Sequence, residues 1–136
     1  MKNIDEIFKA VGSTAEFLFK GVTDIHQRGC FGDTPLHIVC SWGDVDAVDT
    51  LLQAGADVNA RGEQGKTPLF SAVIGRSTDV VARLLDADAD PSIVDKAGHT
   101  ASQFAHMLDV ATNPVPVELF ELLALNSRNG KRGRLD

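Results

Sequence analysis

The sequence predicts an all-α solenoid in which short helix-turn-helix units stack on one another. Three observations predict this class: a fixed period of 33 residues, a Thr-Pro pair or its remnant where each unit begins, and paired leucines at helical spacing later in the unit. Repetition at a fixed period of this length is typical of proteins whose units each contact only their neighbours. The composition agrees, since 43% hydrophobic and 24% charged residues are close to globular averages.

The hexapeptide that opens each unit carries the clearest repeat. Residues 32–37 read Gly-Asp-Thr-Pro-Leu-His, residues 65–70 read Gly-Lys-Thr-Pro-Leu-Phe, and residues 98–103 read Gly-His-Thr-Ala-Ser-Gln. The same 33-residue step relates the second half of one unit to that of the next: Val48, Leu51, Leu52, Ala56 and Asp57 align with Val81, Leu84, Leu85, Ala89 and Asp90. One step towards the N-terminus, Leu18, Phe19, Asp24, Ile25, Arg28 and Gly29 align with Leu51, Leu52, Asp57, Val58, Arg61 and Gly62. No gap is needed to align these segments.

Each hexapeptide predicts the start of a helix. Thr34 is a good N-cap, whose hydroxyl we expect to accept a free backbone N–H of the first turn. Pro35 suits the first helical position because its fixed φ matches a helix and no donor is lost there. A first helix is therefore predicted over about residues 35–42, with Gly43 ending it in a left-handed conformation.

A second helix is predicted over about residues 45–54, where Val45, Val48, Leu51 and Leu52 share one face and Gly55 follows. Residues 56–66 have no helical period and read as an extended β-turn loop. The next unit repeats the scheme, with Thr67 as cap, Pro68 at the first position and a second helix near 78–87. It departs at two points, because Asp88 replaces the glycine that ends the helix and Gly75 comes one residue earlier than Gly43.

The two ends of the repeat are irregular, as solenoid ends should be. An N-terminal pair of capping helices is predicted within residues 1–21, with Ile4, Ile7, Phe8, Val11, Phe17 and Leu18 as its apolar residues. Near the C-terminus Thr100 keeps its capping position, and extra residues around 113–116 delay the second helix. A last helix is predicted from Pro116 through Leu125, with Leu119, Phe120, Leu122 and Leu123 covering the end of the stack.

These residues resemble the ankyrin repeat, a 33-residue unit of a β-turn and two antiparallel helices. Its signature is matched by residues 34–37, 55–60 and 65–69, and the resemblance covers about residues 18–108. It implies an ankyrin-repeat solenoid of stacked helix-turn-helix units joined by β-turn loops, with N- and C-terminal capping helices. We expect a single domain over residues 1–127, with a cap over 1–28, repeats over 29–61 and 62–94, and a C-terminal repeat or cap over 95–126.

The charge is distributed unevenly along the chain. The net charge is −6, but residues 1–127 hold nine Lys/Arg against eighteen Asp/Glu, whereas residues 128–136 carry +3. An acidic body repels phosphate backbones and attracts basic partners. The sequence therefore disfavours nucleic acid as a partner, with contact through a basic, flexible tail over 128–136 as a remote alternative.

Catalysis and metal binding have little support in the sequence. The pairs and spacings that hold zinc are missing, and Asp44, Asp46 and Asp49 lack the glycine and glutamate of a calcium loop. The resemblance implies a structural hydrogen bond between units for His37. Cys40 is predicted to be an inert buried thiol and Cys30 a loop-tip thiol. We expect no enzyme activity, no cofactor and no metal.

The resemblance implies that a partner protein is held on the concave face formed by the loop tips and first helices. The matching positions that we select as partner-binding are Arg28, Phe31, Asp33, Trp42, Arg61, Glu63, Gln64, Lys66, Lys96 and His99. The same carry-over adds Cys30, Ser41, Ile74, Gly75, Val94, Ala97, Met107 and Leu108 as neighbouring contact positions. Phe31 and Trp42 are the predicted anchors, since scarce aromatic residues here fill positions that core packing does not require. Alternatively, Trp42 folds back onto the capping helices near Phe8 or Val11.

The sequence thus predicts a non-enzymatic protein-protein interaction module. The expected chain is cytoplasmic and monomeric when unbound, with no membrane-spanning segment. A sharper alternative is a small immunity or inhibitor protein that neutralises a basic toxin or nuclease by occlusion, which the acidic body would favour.

Overall fold

The computed structural model describes residues 2–18 and 20–128 of the chain. Within these residues it contains seven α-helices, one short 3₁₀ turn and no β-strand, apart from an isolated bridge between Val110 and Asn113. The helices are α1 (Ile4–Gly12), α2 (Pro35–Trp42), α3 (Val45–Gln53), α4 (Pro68–Ile74), α5 (Thr78–Asp86), α6 (Ala101–Leu108) and α7 (Val117–Arg128).

The helices form two layers. An inner layer consists of α2, α4 and α6, which pack side by side, and an outer layer consists of α3, α5 and α7. Each inner helix also packs against the outer helix that follows it along the chain, and α1 closes one end against α2 and α3. This arrangement confirms the predicted all-α solenoid of stacked units.

The core lies between the two layers, where the repeated apolar positions meet. Leu36 and Leu69 of the inner helices are buried, as are Leu51 and Leu84 of the outer helices. The residues of these pairs are 33 positions apart, so each unit contributes the same rows of side chains to a continuous core. The extra residues before α7 delay its apolar face as predicted, and Leu119 and Leu123 seal the other end.

The loops repeat as faithfully as the helices. Asp24, Asp57 and Asp90 each accept a hydrogen bond from the backbone N–H two residues further on. This Asx turn is a local preference of aspartate. The loop aspartates of the repeat therefore set the backbone path between units.

Left-handed backbone conformations mark where helices end. Gly43 ends α2 with φ 70°, as predicted, whereas Asp88 adopts φ 71° without the freedom of glycine. The early Gly75 plays a different part, because its φ is −76° and Arg76 takes the positive φ of 53° instead. A Cβ atom at Gly75 would lie 2.7 Å from the carbonyl oxygen of Ser41, so this glycine permits close approach of α4 to α2.

The prediction of an N-terminal helix pair is wrong. Among the described residues of this segment, α1 is the only helix, and Ser13 and Thr14 end it by donating their hydroxyls to the carbonyls of Ala10 and Val11. The following residues make successive turns in which Phe17 is buried, while Leu18 is 60% exposed. Leu18 therefore does not fill the core position that the repeat register assigns to it. The side chains of a turn point in different directions from those of a helix, so the helical spacing of the apolar residues no longer holds here.

The C-terminal helix is longer than predicted. It begins at Val117 and continues to Arg128, three residues beyond the predicted end at Leu125. The first residue of the predicted basic tail therefore belongs to α7. The rest of that tail, residues 129–136, lies outside the described residues.

Candidate functional site

His37 joins the first two full repeats through its imidazole ring. The Thr34 N–H donates to Nδ1 at 3.0 Å, and the Thr34 hydroxyl lies 2.9 Å from the same atom. Because Nδ1 accepts these hydrogens, Nε2 carries the ring proton and donates to the Lys66 carbonyl at 3.0 Å. Burial lowers the pKa of His37 and favours this neutral form. The Thr34 hydroxyl thus pairs with the His37 ring, and the two residues form a capping box at the start of α2.

Two predicted contact residues, Arg28 and Arg61, connect successive loops. Arg28 Nη1 donates to the Gly32 carbonyl at 2.8 Å and to the Arg61 carbonyl at 2.5 Å. Arg61 Nη2 in turn donates to the Val94 carbonyl at 2.5 Å. The bonds from Arg28 to residue 61 and from Arg61 to residue 94 each span one repeat, so both guanidinium groups hold the loops together.

A second series of bonds runs along the acidic residues of the loops. The Asp33 N–H donates to Glu16 Oε2 at 2.8 Å, and the Glu63 N–H donates to Asp33 Oδ1 at 2.9 Å. Glu16 is buried against Gly29, where an added Cβ would lie 2.2 Å from its Cγ. Burial raises the pKa of Glu16 to about 7, and the Asp33 carboxylate adds to the effect although the Asp33 N–H opposes it.

Glu16 was not among the sequence-predicted residues. It comes from the N-terminal segment, whose backbone departs from the helix that the 33-residue register predicts there. The sequence did carry one signal for such a residue, the glycine that repeats at positions 29 and 62. Each of these glycines lies where a side chain from another segment packs against the backbone.

Lys66 is paired within the chain. Its Nζ lies 3.1 Å from the buried Asp95 carboxylate, and it is 4.9 Å from the ring centroid of Phe104 and 5.9 Å from that of Phe70. Burial acts to raise the pKa of Asp95, but the His99 N–H and the Lys66 ammonium outweigh it and hold that pKa below its usual value. The predicted contact residue Lys66 is therefore part of an ion pair and cation-π cluster between two repeats.

The structure brings four of the predicted residues together in one groove. The groove measures about 250 Å³ and is lined by Asp33, Glu63, Gln64, Lys66, Ser71, Ile74 and Phe104. Sequence reasoning missed Ser71 and Phe104 as lining residues. Ser71 and Phe104 are 33 residues apart and so occupy the same position in successive repeats. If that repeat position had been included among the contact positions, the sequence would have predicted both residues.

Large apolar side chains are exposed at the ends of the inner helices. Trp42 is 47% exposed at the end of α2, Ile74 is 46% exposed at the end of α4, and Met107 is 58% exposed in the last turn of α6. Phe31, at a loop tip, is 56% exposed. Because the inner helices pack side by side, their ends present these side chains along one edge of the inner layer.

Trp42 also borders a second groove, which lies towards α1. This groove measures about 140 Å³ and is lined by Lys2, Glu6, Ile7, Ala10, Val39, Trp42, Asp44 and Ala47. Trp42 thus lines a groove together with residues of α1 while nearly half of its surface stays exposed, and Phe8 and Val11, which the alternative interpretation named, are not among the lining residues. The structure does not place it among the residues lining the groove of Asp33 and Glu63.

The remaining residues singled out by the sequence fall into structural positions or open surface. Lys96 is exposed and its N–H donates to the Gln64 carbonyl, while the half-buried His99 donates its N–H to Asp95. Cys40 is fully buried and burial raises the pKa of its thiol, whereas Cys30 is exposed. Asp44 caps α3 through the Ala47 N–H.

Sequence comparison identifies the family. A family profile described as ankyrin repeats, in three copies, matches residues 8–95, well over half of the chain. The chain belongs to the ankyrin-repeat family. Comparison with curated protein sequences finds no significant match. Ankyrin repeats are in general protein-protein interaction modules and are typically non-enzymatic.

The described residues contain neither a membrane-spanning helix nor a cluster of metal ligands. None of their helices has the length and apolar character needed to cross a bilayer. Among the same residues, no three His, Cys, Asp or Glu side chains group in a way that could hold a metal ion.

Proposed function

We propose that this ankyrin-repeat protein binds a partner protein across its loop tips and inner helices. The observation that carries the proposal is the set of exposed apolar side chains on this side of the stack: Trp42, Ile74 and Met107 near the ends of the inner helices, and Phe31 in the loop before α2. Exposed aromatic and apolar groups rimmed by polar residues are the usual composition of binding hot spots. Family membership supports the same kind of partner.

Phe31 and Trp42 remain the proposed anchors, and the polar contacts divide into two groups. Arg28, Arg61 and Lys66 are engaged in bonds between repeats, so we assign them to shaping the surface. The exposed Glu63, Gln64 and Lys96 side chains are the proposed direct contacts. On this division, specificity comes from side chains that a partner can contact without breaking the hydrogen bonds and the ion pair between repeats.

The test is an affinity pull-down from lysate of the native host, read by mass spectrometry, with the F31A/W42A variant beside the wild type. We expect one or more proteins to be retained by the wild type and lost in the variant. Each deleted anchor should cost about 2 kcal/mol of binding, a loss of more than tenfold. Thermal stability should change little, since both side chains are about half exposed.

A V117A/L125A variant is the matched control. Val117 and Leu125 are also exposed apolar residues, but they lie on α7 at the C-terminal end of the stack. This variant should retain the same proteins as the wild type. Proteins captured equally by all three forms would contradict the proposed surface, and a large drop in the melting temperature of F31A/W42A would show that the anchors are core residues.

A finer candidate is an inhibitor or immunity protein of the cytoplasm that occludes a basic toxin or nuclease. Its support is the charge of residues 1–127, where eighteen acidic residues face nine basic ones. A basic partner would be attracted at a rate that falls with ionic strength. If the captured protein is a nuclease, its activity should be lost on stoichiometric addition of the wild type and recovered with F31A/W42A.

A further inference from the structure

We infer that the groove between Asp33 and Phe104 is a subsite for a lysine or arginine of the partner, whose aliphatic stem lies on the apolar groove wall and whose cationic head meets Asp33 and Glu63. The inference rests on the proposed function and deepens it, because it names the chemistry of the partner segment. It follows from the groove lining and from how the charges there are already paired.

One part of the groove is apolar. Ile74 is nearly half exposed at the end of α4, and Phe104 is partly buried on α6 with its ring 5.7 Å from that of Phe70. The two side chains give a stem of methylene groups a surface on which to pack. A long basic side chain suits such a site because its stem is apolar while its end is charged.

The opposite part of the groove is acidic. Asp33 Oδ1 accepts the Glu63 N–H, and neither the Asp33 nor the Glu63 carboxylate has an ion pair among the described residues. Glu63 is exposed and its side chain makes no hydrogen bond to the described residues that would have to break. The exposed Glu63 carboxylate is therefore open to a cation from outside, and the half-buried Asp33 carboxylate, which also interacts with Glu16, adds negative charge beside it.

Among the residues that the structure describes, no cation neutralises this pair. Lys66, the one cation in the groove lining, is committed to Asp95 at 3.1 Å. Arg28 and Arg61 direct their guanidinium groups at backbone carbonyls of neighbouring loops, and neither lines the groove. Charge complementarity thus selects a basic occupant over an acidic one.

The experiment is an NMR titration of the ¹⁵N-labelled full chain with two capped tetrapeptides, acetyl-Leu-Arg-Leu-Arg-amide and acetyl-Leu-Gln-Leu-Gln-amide. The arginine peptide should shift the amides around Asp33, Glu63 and Ile74, and the glutamine peptide should shift them far less. Raising NaCl from about 0.05 M to about 0.5 M should weaken the arginine peptide, since screening acts on exposed charges.

Two charge-matched variants locate the effect. E63Q should weaken the arginine peptide about threefold, the size expected for a partly exposed ion pair. E118Q removes the same charge from the exposed start of α7 and should leave binding unchanged. Because Glu63 makes no side-chain bond within the described residues, E63Q is expected to fold as the wild type does.

Equal shifts with both peptides, equal weakening in both variants, or shifts centred on Trp42 would each overturn the basic subsite. If one of these results appears while F31A/W42A still loses its captured protein, the subsite is wrong and the proposed binding surface stands. If the arginine peptide binds as described while capture is indifferent to Phe31 and Trp42, the subsite stands and the proposed anchors are wrong.

Discussion

At the scale of single residues, the position of His37 in the repeat decides whether the threonine three residues before it has a hydrogen-bond partner. Thr34 pairs its hydroxyl with His37, whereas in the next repeat, where Thr67 is equivalent to Thr34, Phe70 stands at the position of His37. Phenylalanine offers no acceptor, and Thr67 Oγ1 is buried without a hydrogen-bond partner among the described residues. Leaving a buried hydroxyl unpaired costs more than never having it. The two threonines therefore contribute differently to stability although their backbone positions match.

Replacing each threonine by valine tests this difference. Thr34→Val should lower the free energy of unfolding by about 1 kcal/mol, because the bond to His37 is lost. Thr67→Val should be neutral or stabilising, since it removes an unpaired polar atom. Urea unfolding of both variants measures the effect, and equal losses would contradict the assigned pairing.

The buried Glu16 predicts an unusual dependence of stability on pH. Its pKa rises from 4.5 to about 7 on folding, so the folded chain holds this proton more tightly than the unfolded chain. Its contribution to stability is therefore fully present below about pH 4.5 and is lost as pH rises through about 7. His37 acts in the opposite direction, because its lowered pKa costs stability as pH falls below its usual range.

The Glu16→Gln variant isolates the carboxyl group. We expect its stability, relative to the wild type, to rise between pH 5 and pH 8, because glutamine keeps an acceptor for the Asp33 N–H without gaining a charge. The contribution of His37 is common to both proteins and cancels in the difference. Urea unfolding at several pH values gives the result, and a difference independent of pH would show that Glu16 does not titrate in this range.

At the scale of elements, the end of α4 approaches the backbone of α2 at a glycine. Helix α4 ends one residue earlier in the repeat than α2, and Gly75 follows it with no room for a side chain against the Ser41 carbonyl. The positive φ then falls on Arg76, which compensates by donating from Nη2 to the Leu108 carbonyl at 2.9 Å and from Nε to the Asn113 carbonyl at 3.1 Å. One arginine thus joins the second unit to the third.

Gly75→Ala tests the close approach. Its Cβ would meet the Ser41 carbonyl at 2.7 Å, so α2 and α4 must separate, at a cost of about 1–3 kcal/mol. Gly12→Ala is the control, because the nearest atom to its added Cβ is 3.5 Å away and alanine favours the helix. Thermal unfolding should show destabilisation for the first variant alone, and a neutral Gly75→Ala would mean that the helices are not held at this distance.

At the scale of the whole molecule, two hydrogen-bonded series run along the loops. One links Glu16, Asp33 and Glu63, and the other links Arg28 and Arg61 to the carbonyls one repeat further on. Together they connect the N-terminal segment to the loops of all later repeats. A partner would therefore meet a surface whose loops are already ordered, which reduces the entropy lost on binding.

The sequence by itself determined the period, the helix starts and the residues of the core. These follow from signals that act within a few residues: Thr-Pro at helix starts, Gly43 and Asp88 at helix ends, and apolar spacing along each helix. Such signals do not depend on the neighbouring unit. They failed at residues 13–18, where the hydroxyl groups of Ser13 and Thr14 cap the end of α1.

Only the tertiary structure decided which charged loop residues are available to a partner. Lys66, Arg28 and Arg61 match contact positions of the family, yet their charges are directed at residues about 30 positions away. Glu63 remains open because no cation approaches it among the described residues. A residue type states what a side chain can bind, but the groups that stacking brings within reach decide what it does bind.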